Sequence, residues 1–350
     1  MGEQTERMGG AAGGGSMVPP RSFRRLVVAN LMCTFALIVL GGIVRVSDSG
    51  LGCGPAGSGL NGWPLCQGDI LPGLELNAVI EYAHRALASV VGLLTIAMAV
   101  LAWRVLRAHG GLVLASVTAS VLVVAQGLLG AATVEANLDP LLVATHLGMA
   151  MLLFALLLYV LRAARPEVIG ADAPPTTRPL RLLAVATPLL VLGTIVAGGF
   201  MAGTEKHGRT DFEQSSGAHY ACGFEFPTCN GGIMPFGQSR LADIHLTHRA
   251  FMYVATVALL ALFVLILRHR PSVTAVRSAW VALGLLGVQI ALGASNVWLQ
   301  TEYEALIVAH LAVGTALWAR LAWLAFALRA VPLPVSAHAR GRSRAVAAHS

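Results

Sequence analysis

Long apolar runs dominate this chain of 350 residues and decide what it can fold into. Hydrophobic residues make up 56% of the sequence and charged residues only 12%, which is more apolar surface than a soluble domain can bury. Uncharged runs of about twenty residues predict transmembrane helices, because a segment in lipid must satisfy its own backbone hydrogen bonds. The sequence therefore predicts an all-α membrane protein. Its eight expected spans are residues 26–46, 79–102, 112–134, 140–161, 181–203, 243–267, 279–299 and 305–328.

The positive charges indicate which way the spans run. Most of the 24 Lys and Arg residues lie in the two terminal segments and in the loops 103–111, 162–181 and 268–278. The positive-inside rule then places both termini in the cytoplasm and the long loops outside the cell membrane. The net charge of +7 therefore reflects topology and requires no nucleic acid partner.

Composition also divides the chain into segments. The Gly-rich residues 1–25 and the Arg-, Ala- and Ser-rich residues 329–350 are expected to be disordered cytoplasmic ends, with the first span an uncleaved signal anchor. Between them we expect an N-terminal four-helix bundle over 26–161, a cytoplasmic linker over 162–180 and a C-terminal four-helix bundle over 181–328.

The two halves carry the same motifs in the same order, which indicates a duplicated four-helix unit. Generic similarity between apolar helices explains matched Leu and Val residues, but it does not explain repeated Pro-x-Cys-x-Gly and His-Arg motifs. Because each unit has an even number of spans, both run in the same direction, related by a pseudo-twofold axis along the membrane normal. The matched stretches are 39–44 with 191–196, 63–68 with 226–231, and 80–85 with 244–249, and Gln126 and Gly130 match Gln289 and Gly293.

Two histidine pairs stand on the predicted spans, His84 with His146 and His248 with His310, each 62 residues apart. An ionisable residue at membrane depth marks a functional site by default, although a single such histidine is often a packed polar residue or a proton relay. Two neutral imidazoles that face each other across a four-helix bundle can ligate one haem iron. Zinc is disfavoured because structural zinc takes four N or S ligands and each bundle offers two. The pairs therefore predict two haem sites.

The residues around these histidines make the two halves unequal. Arg85 and Arg249 are expected to pair with haem propionates, the alternative being contact with water or lipid phosphate. Glu81 precedes His84 by three residues on the same helix face, and the second half has His245 in its place. A carboxylate near the membrane boundary is costly unless it is paired or used. We therefore expect Glu81 to act as an acid/base or cation-stabilising group, the alternative being a hydrogen-bond network without a catalytic part.

Four of the five cysteines lie in the predicted outer loops, where disulfides persist. The sequence predicts one bridge in each loop, Cys53–Cys66 and Cys222–Cys229, and leaves Cys33 free in the first span. The bridges are expected to hold the loops over the bundle mouths, and a redox role for Cys53–Cys66 stays open. A shared metal site is disfavoured because the two loops lie over different bundles.

This combination of residues resembles heme A synthase, the membrane family that oxidises heme O for aa-type cytochrome c oxidases. The resemblance covers about residues 25–328. One departure is the Gly- and Ser-rich insert between Cys53 and Cys66, where the family pattern has a tighter loop. The matching motifs are 50–53 (GLGC), 63–66 (WPLC), Glu81, His84-Arg85, His146, His248-Arg249 and His310.

The resemblance implies a b-type haem cofactor held by His248 and His310, with the substrate heme O near His84 and His146. It also implies oxidation of the porphyrin C8 methyl group in two monooxygenation steps, through an alcohol that hydrates and then dehydrates to a formyl group. Glu81 would assist at that methyl group. The implied partners are heme O, membrane lipid, heme O synthase and an electron donor, and a homo-oligomer is compatible with them.

Two other function classes are compatible with the histidines. A di-haem, quinol-linked b-type cytochrome predicts two permanently occupied haem sites and no porphyrin product. A proton-coupled transporter with histidine relays predicts no haem at all. The sequence does not identify the electron donor or the oligomeric state, and it assigns no role to His207, His219 or His245.

Overall fold

The computed structural model describes residues 19–165, 176–204, 217–299 and 304–328. Within these ranges the chain forms α-helices and short 3-10 turns, and eight helices are long and apolar enough to cross a membrane. The predicted all-α fold with eight spans is confirmed. The helices are α1 Arg21–Val46, α2 Leu76–Val105, α3 Gly110–Glu135, α4 Pro140–Ala163, α5 Arg178–Gly203, α6 Arg240–His269, α7 Val273–Trp298 and α8 Glu304–Ala327.

Most helices are longer than the apolar runs that predict them, because polar turns extend them beyond the lipid. A helix of 26 residues such as α1 is about 39 Å long, against roughly 30 Å for a hydrocarbon core. Helix α1 already begins at Arg21, so the predicted arm over 1–25 includes the first helical turn. Side chains cap three helix starts: Asp139 accepts from backbone N–H groups of α4, and Ser239 and Ser272 do so for α6 and α7.

The eight helices form two four-helix groups that meet along a central seam. Helices α1, α4, α5 and α8 contact one another there, while α2, α3, α6 and α7 lie at the periphery. Across the seam, the indole nitrogen of Trp318 donates to the carbonyl oxygen of Pro188 at 2.9 Å. Apolar side chains of the peripheral helices point outward, and Leu93, Val121 and Val257 are more than 60% exposed. These outer faces are suited to contact with lipid tails.

Corresponding helices of the two halves have the same lengths of 26, 30, 26 and 24 residues. The seam contains reciprocal contacts: Gly42 of α1 packs against Leu311 of α8, and Gly199 of α5 packs against Leu147 of α4. Small residues allow membrane helices to approach closely. These contacts support the predicted duplication. The pseudo-twofold axis itself stays a prediction.

The register between α1 and α5 corrects the sequence alignment, which matched Gly41 with Gly193. A Cβ atom added at Gly41 would lie 3.2 Å from the His84 ring, and the corresponding close approach to His248 comes from Gly198. The matching residue is therefore Gly198, five positions further along. The alignment was wrong because both helices contain a Leu-Gly step among branched apolar residues, which match at more than one register.

We expect Gly203→Ala to destabilise the protein, because α5 packs closely against the start of α4 at this point. A Cβ atom at Gly203 would lie 2.7 Å from Cα of Pro140, a backbone atom that cannot rotate away. Such overpacking typically costs about 1–3 kcal/mol. Thermal unfolding in detergent should show a lower midpoint for Gly203→Ala, whereas Gly284→Ala, which has open space around its Cβ position, should not. Equal midpoints for the two variants would contradict this packing.

Candidate functional site: two histidine pairs

All four predicted ligands lie at matched levels in the two halves. His84 and His248 stand eight positions after the first residues of α2 and α6, and His146 and His310 stand six positions after those of α4 and α8. At 1.5 Å per residue these positions are about 12 and 9 Å below the helix starts. Both pairs therefore lie near the face that carries the disulfide loops, which we term the loop face. The opposite face, where α1 begins and α8 ends, is the terminal face.

The second pair is arranged as two facing rings. The ring centroids of His248 and His310 are 6.5 Å apart, with an angle of 65° between the rings. Nδ1 of His248 lies 2.9 Å from the carbonyl oxygen of Thr194. With its proton on Nδ1, this ring donates to the carbonyl and presents Nε2 as a ligand, an arrangement common among metal-binding histidines. Nε2 of His310 lies 3.1 Å from the side-chain nitrogen of Gln289 on α7.

The geometry of the second pair is compatible with a haem iron between its two rings. A bond between a metal and an imidazole nitrogen is about 2 Å long, so two such bonds with the rings behind them suit the 6.5 Å centroid separation of His248 and His310. Nδ1 of His84, His146 and His310 is buried and has no hydrogen-bond partner among the described residues. Buried polar atoms without partners are costly. An iron bound at Nε2 leaves these Nδ1 atoms to other partners such as water, and at His310 it would replace the contact with Gln289.

A glycine of the neighbouring helix packs against each histidine ring. A Cβ atom at any of these glycines would lie 3.0–3.3 Å from the ring carbon Cε1. The absence of that atom allows the imidazoles to pack closely against the next helix. The sequence matched Gly130 with Gly293 and Gly41 with Gly193 only as repeat residues, and it did not single out Gly198. A glycine at the level of a membrane histidine is nevertheless a usable signal. The pairs are Gly41 with His84, Gly130 with His146, Gly198 with His248, and Gly293 with His310.

Glu81 lies at the junction between the first bundle and its loop, and it is only 4% exposed. Its Oε2 atom accepts a hydrogen bond from the backbone N–H of Cys53 at 2.7 Å, and its Oε1 atom pairs with Arg85. In the second bundle, Nδ1 of the buried His245 lies 2.8 Å from the carbonyl oxygen of Ala218. Both residues therefore connect a helix to the loop above it. Among the described residues, the acidic side chain at this position, paired with a cation, belongs to the first bundle.

The two arginines hold the same loops. Arg85 donates through Nη1 to the carbonyl oxygens of Gly62 and Leu65 at 2.6 and 3.0 Å, and Arg249 donates to that of Thr228 at 2.6 Å. Charge-assisted hydrogen bonds of this kind are stronger than neutral ones. The contacts establish a loop-anchoring role that the sequence did not suggest. Propionate binding by these arginines stays a prediction.

Both predicted disulfides are present. Cys53 is bonded to Cys66 and Cys222 to Cys229, and all four residues are buried. Cys33 is free and half-buried in α1, as predicted. The longer spacing in the first loop therefore does not prevent its bridge. A redox role for Cys53–Cys66 stays untested.

The second loop contains further polar residues that the sequence treats as solvated. His219 lies in the short 3-10 turn Ala218–Tyr220, close to the His245 anchor. The others fall outside the described residues: Glu205, Lys206, His207, Arg209, Asp211 and Glu213.

A comparison with known protein families identifies the family of this chain. A model of the cytochrome oxidase assembly protein family matches residues 74–322, a segment that contains Glu81 and all four ligand candidates. The chain belongs to this family. The matched segment covers α2 to α4 of the first bundle and nearly all of the second, so it contains Glu81, which differs between the halves, as well as the repeated histidines.

Several curated relatives are similar over most of their length. The heme A synthase of Symbiobacterium thermophilum is 31% identical over 287 residues, which is 78% of this chain and 85% of the relative. Those of Alkalihalophilus pseudofirmus and Shouchella clausii are 30% and 28% identical over 249 and 247 residues, in each case 70% of this chain and 76% of the relative.

We expect Arg249→Leu to release the second loop of this family member. The variant loses donors to the carbonyl oxygens of Thr228 and Glu225, and one charge-assisted hydrogen bond is worth roughly 1.5–3 kcal/mol. Reduction of Cys222–Cys229 by a water-soluble phosphine, followed by thiol labelling, should be about tenfold faster or more on this basis. The control is Arg268→Leu, an exposed arginine near the other end of the same helix. Equal reduction rates would show that Arg249 does not hold the loop.

Proposed function

We propose that this protein oxidises the C8 methyl group of heme O to a formyl group and so supplies heme A to a terminal cytochrome oxidase. Family membership and the heme A synthase relatives support this function. The observation that carries it is the ion pair between the buried Glu81 and the half-buried Arg85, which lies above one of two otherwise matched histidine pairs. A protein that only relays electrons through two haems has no need for such a difference.

In this proposal the first bundle binds the substrate. His84 and His146 flank the iron of heme O, and activation of oxygen requires that one axial position be open during turnover. Gly41 and Gly130 have no side chain, so the two imidazole rings lie close to the backbone of the neighbouring helix. Heme O bound near the loop face would have its reacting methyl group within reach of Glu81, which lies under the first loop.

Glu81 is the proposed catalytic residue. The backbone N–H of Cys53 and the guanidinium of Arg85 hold its two carboxylate oxygens, so the side chain has a fixed position. A carboxylate held in this way stabilises positive charge that develops at the methyl carbon and accepts a proton released there. Because the N–H of Cys53 belongs to the disulfide loop, the loop takes part in positioning this carboxylate.

The second bundle is proposed to hold a resident b-type haem on His248 and His310. When bound, this cofactor supplies one-electron transfer toward the substrate site. The contact between His248 and the Thr194 carbonyl fixes the ring through Nδ1 and leaves Nε2 for the iron. His245 takes the place of the acid in this bundle and anchors the loop without a negative charge.

The distribution of positive charge supports a location in the cell membrane with both termini in the cytoplasm. The histidine pairs would then lie in the outer leaflet. Heme O synthase and an electron donor are the proposed partners, and a homo-oligomer is compatible with this arrangement. The di-haem electron-transfer cytochrome remains the alternative function, and it differs by leaving added heme O unchanged.

We expect Glu81→Gln to reduce conversion of heme O to heme A by 10²-fold or more, the order of effect that a positioned acid or base contributes. The amide keeps the shape of the side chain but removes its charge and its ion pair with Arg85. Extracted haems from cells that supply heme O should be separated and identified by mass. Glu75→Gln is the control, since Glu75 is an exposed acid just before the same helix.

Accumulation of heme O or of its alcohol with the folded Glu81→Gln variant would support the proposed role. Undiminished heme A in that variant would rule it out. Failure of the wild-type chain to convert heme O, with two haems of type b permanently bound, would favour the electron-transfer cytochrome instead.

A further inference from the structure

A line of buried polar side chains runs along α3 of the first bundle and takes no part in the function described so far. At the terminal face, His109 precedes the first residue of α3 and is only 6% exposed. Ser116 and Ser120 follow it by seven and eleven positions, and residues at these spacings lie on one face of a helix. This face points into the bundle, because Ser116 is fully buried and Ser120 is half-buried.

Two further polar residues join the line from neighbouring helices. The side-chain nitrogen of Asn30 on α1 donates to Oγ1 of Thr95 on α2 at 2.9 Å. The hydroxyl of Ser120 in turn donates to the carbonyl oxygen of Thr95 at 3.3 Å. Both Asn30 and Thr95 are fully buried. Three helices therefore meet at a polar cluster about 14 Å from the start of α1, well inside the apolar layer.

Several atoms of this line have no hydrogen-bond partner within the part of the chain that the structure describes. They are both ring nitrogens of His109, the hydroxyl oxygen of Ser116 and Oδ1 of Asn30. Native proteins rarely leave buried polar atoms unpaired, and several in one row indicate a ligand that the described residues do not supply. Water fits this row, because it both donates and accepts hydrogen bonds.

The line continues toward the histidines through Gln126. Its side-chain nitrogen donates to the backbone carbonyl oxygen of His146 at 2.9 Å. Its Oε1 atom is buried and unpaired with respect to the described residues. Gln126 stands six residues beyond Ser120 on α3, which is about 9 Å along the helix axis. Bridging water would connect the polar cluster to Gln126 across this distance.

Gln289 of the second bundle matches Gln126, but the five polar residues nearer the terminal face have different residues at their matching positions. Three of them are apolar, and the other two satisfy their hydroxyl groups locally: Ser272 accepts from the N–H of Ala275, and Thr187 donates to the carbonyl oxygen of Leu183. The line therefore belongs to the bundle that contains Glu81. The matching pairs are His109 with Ser272, Ser116 with Ala279, Ser120 with Leu283, Thr95 with Leu259, and Asn30 with Thr187.

We propose that this line binds a chain of water molecules and conducts protons from the terminal face to the His84–His146 pair. The proposal rests on the proposed function, because oxidation of heme O consumes protons in the first bundle. In each oxygenation one atom of O₂ enters the substrate carbon and the other leaves as water. Two electrons from a membrane reductant of the quinol class, passed through the second bundle, and two protons complete the balance. Only the first bundle requires this proton supply.

Turnover measurements in proteoliposomes test the line. Ser116→Ala and Thr95→Val each remove one hydroxyl group at nearly constant shape. We expect heme A formation to slow roughly tenfold or more, since positioned proton transfer contributes 10²–10⁴-fold to rates. The KM for heme O should not change, and the solvent isotope effect in D₂O should increase. Ser116→Thr, which restores a hydroxyl, should recover turnover. The matched control, Thr187→Val in the second bundle, should behave as wild type.

Wild-type turnover and an unchanged isotope effect in both Ser116→Ala and Thr95→Val would overturn the proposal. A high-resolution structure of the full chain gives a second readout that does not depend on activity. Water oxygens within about 3.2 Å of Ser116 Oγ and Asn30 Oδ1 would support the line, and direct protein contacts at both atoms would overturn it. If the wild-type chain fails to make heme A, the proposed function is wrong, while the water positions still decide whether the line is hydrated.

Discussion

The packing of each imidazole against a glycine of the next helix is the contact on which the two sites depend. An ionisable side chain inside a bilayer is tolerated where protein surrounds it. The four glycines bring a helix backbone to within van der Waals distance of each ring, so that the rings point into the bundles instead of into lipid. These contacts allow each histidine-bearing helix to approach its neighbour closely at the level of the ring. Close approach of this kind is also how membrane helices associate without a hydrophobic driving force.

Above the histidines, both halves use the same means to hold a disulfide loop. An arginine that directly follows a histidine donates to loop carbonyl oxygens, and a second polar residue of the same helix contacts the loop backbone. The halves differ in that second residue, which is Glu81 in one and His245 in the other. They differ again below the histidines, where three of the polar residues that line the first bundle have apolar counterparts in the second. The first bundle thus differs from the second both above and below its histidines. This pattern is expected when one site carries out chemistry and the other assists it.

Much of this arrangement can be predicted from the sequence. Apolar runs specify the eight helices, because the requirement for internal backbone hydrogen bonds leaves no other choice in lipid. The cysteine pairs follow from their positions in the outer loops. The register of α5 does not follow, because Gly193 and Gly198 lie in similar apolar surroundings and only contact with His248 distinguishes them. The anchoring role of Arg249 was also missed, since its partners are backbone carbonyl oxygens, which leave no trace in the side-chain sequence.

The central claim is that the two histidine pairs hold different haems for different purposes. A structure of the full-length protein with heme O bound would test it most directly. The account predicts heme O between His84 and His146 with its C8 methyl group facing Glu81, and a b-type haem between His248 and His310. Heme O between His248 and His310, or a C8 methyl group directed away from Glu81, would contradict it.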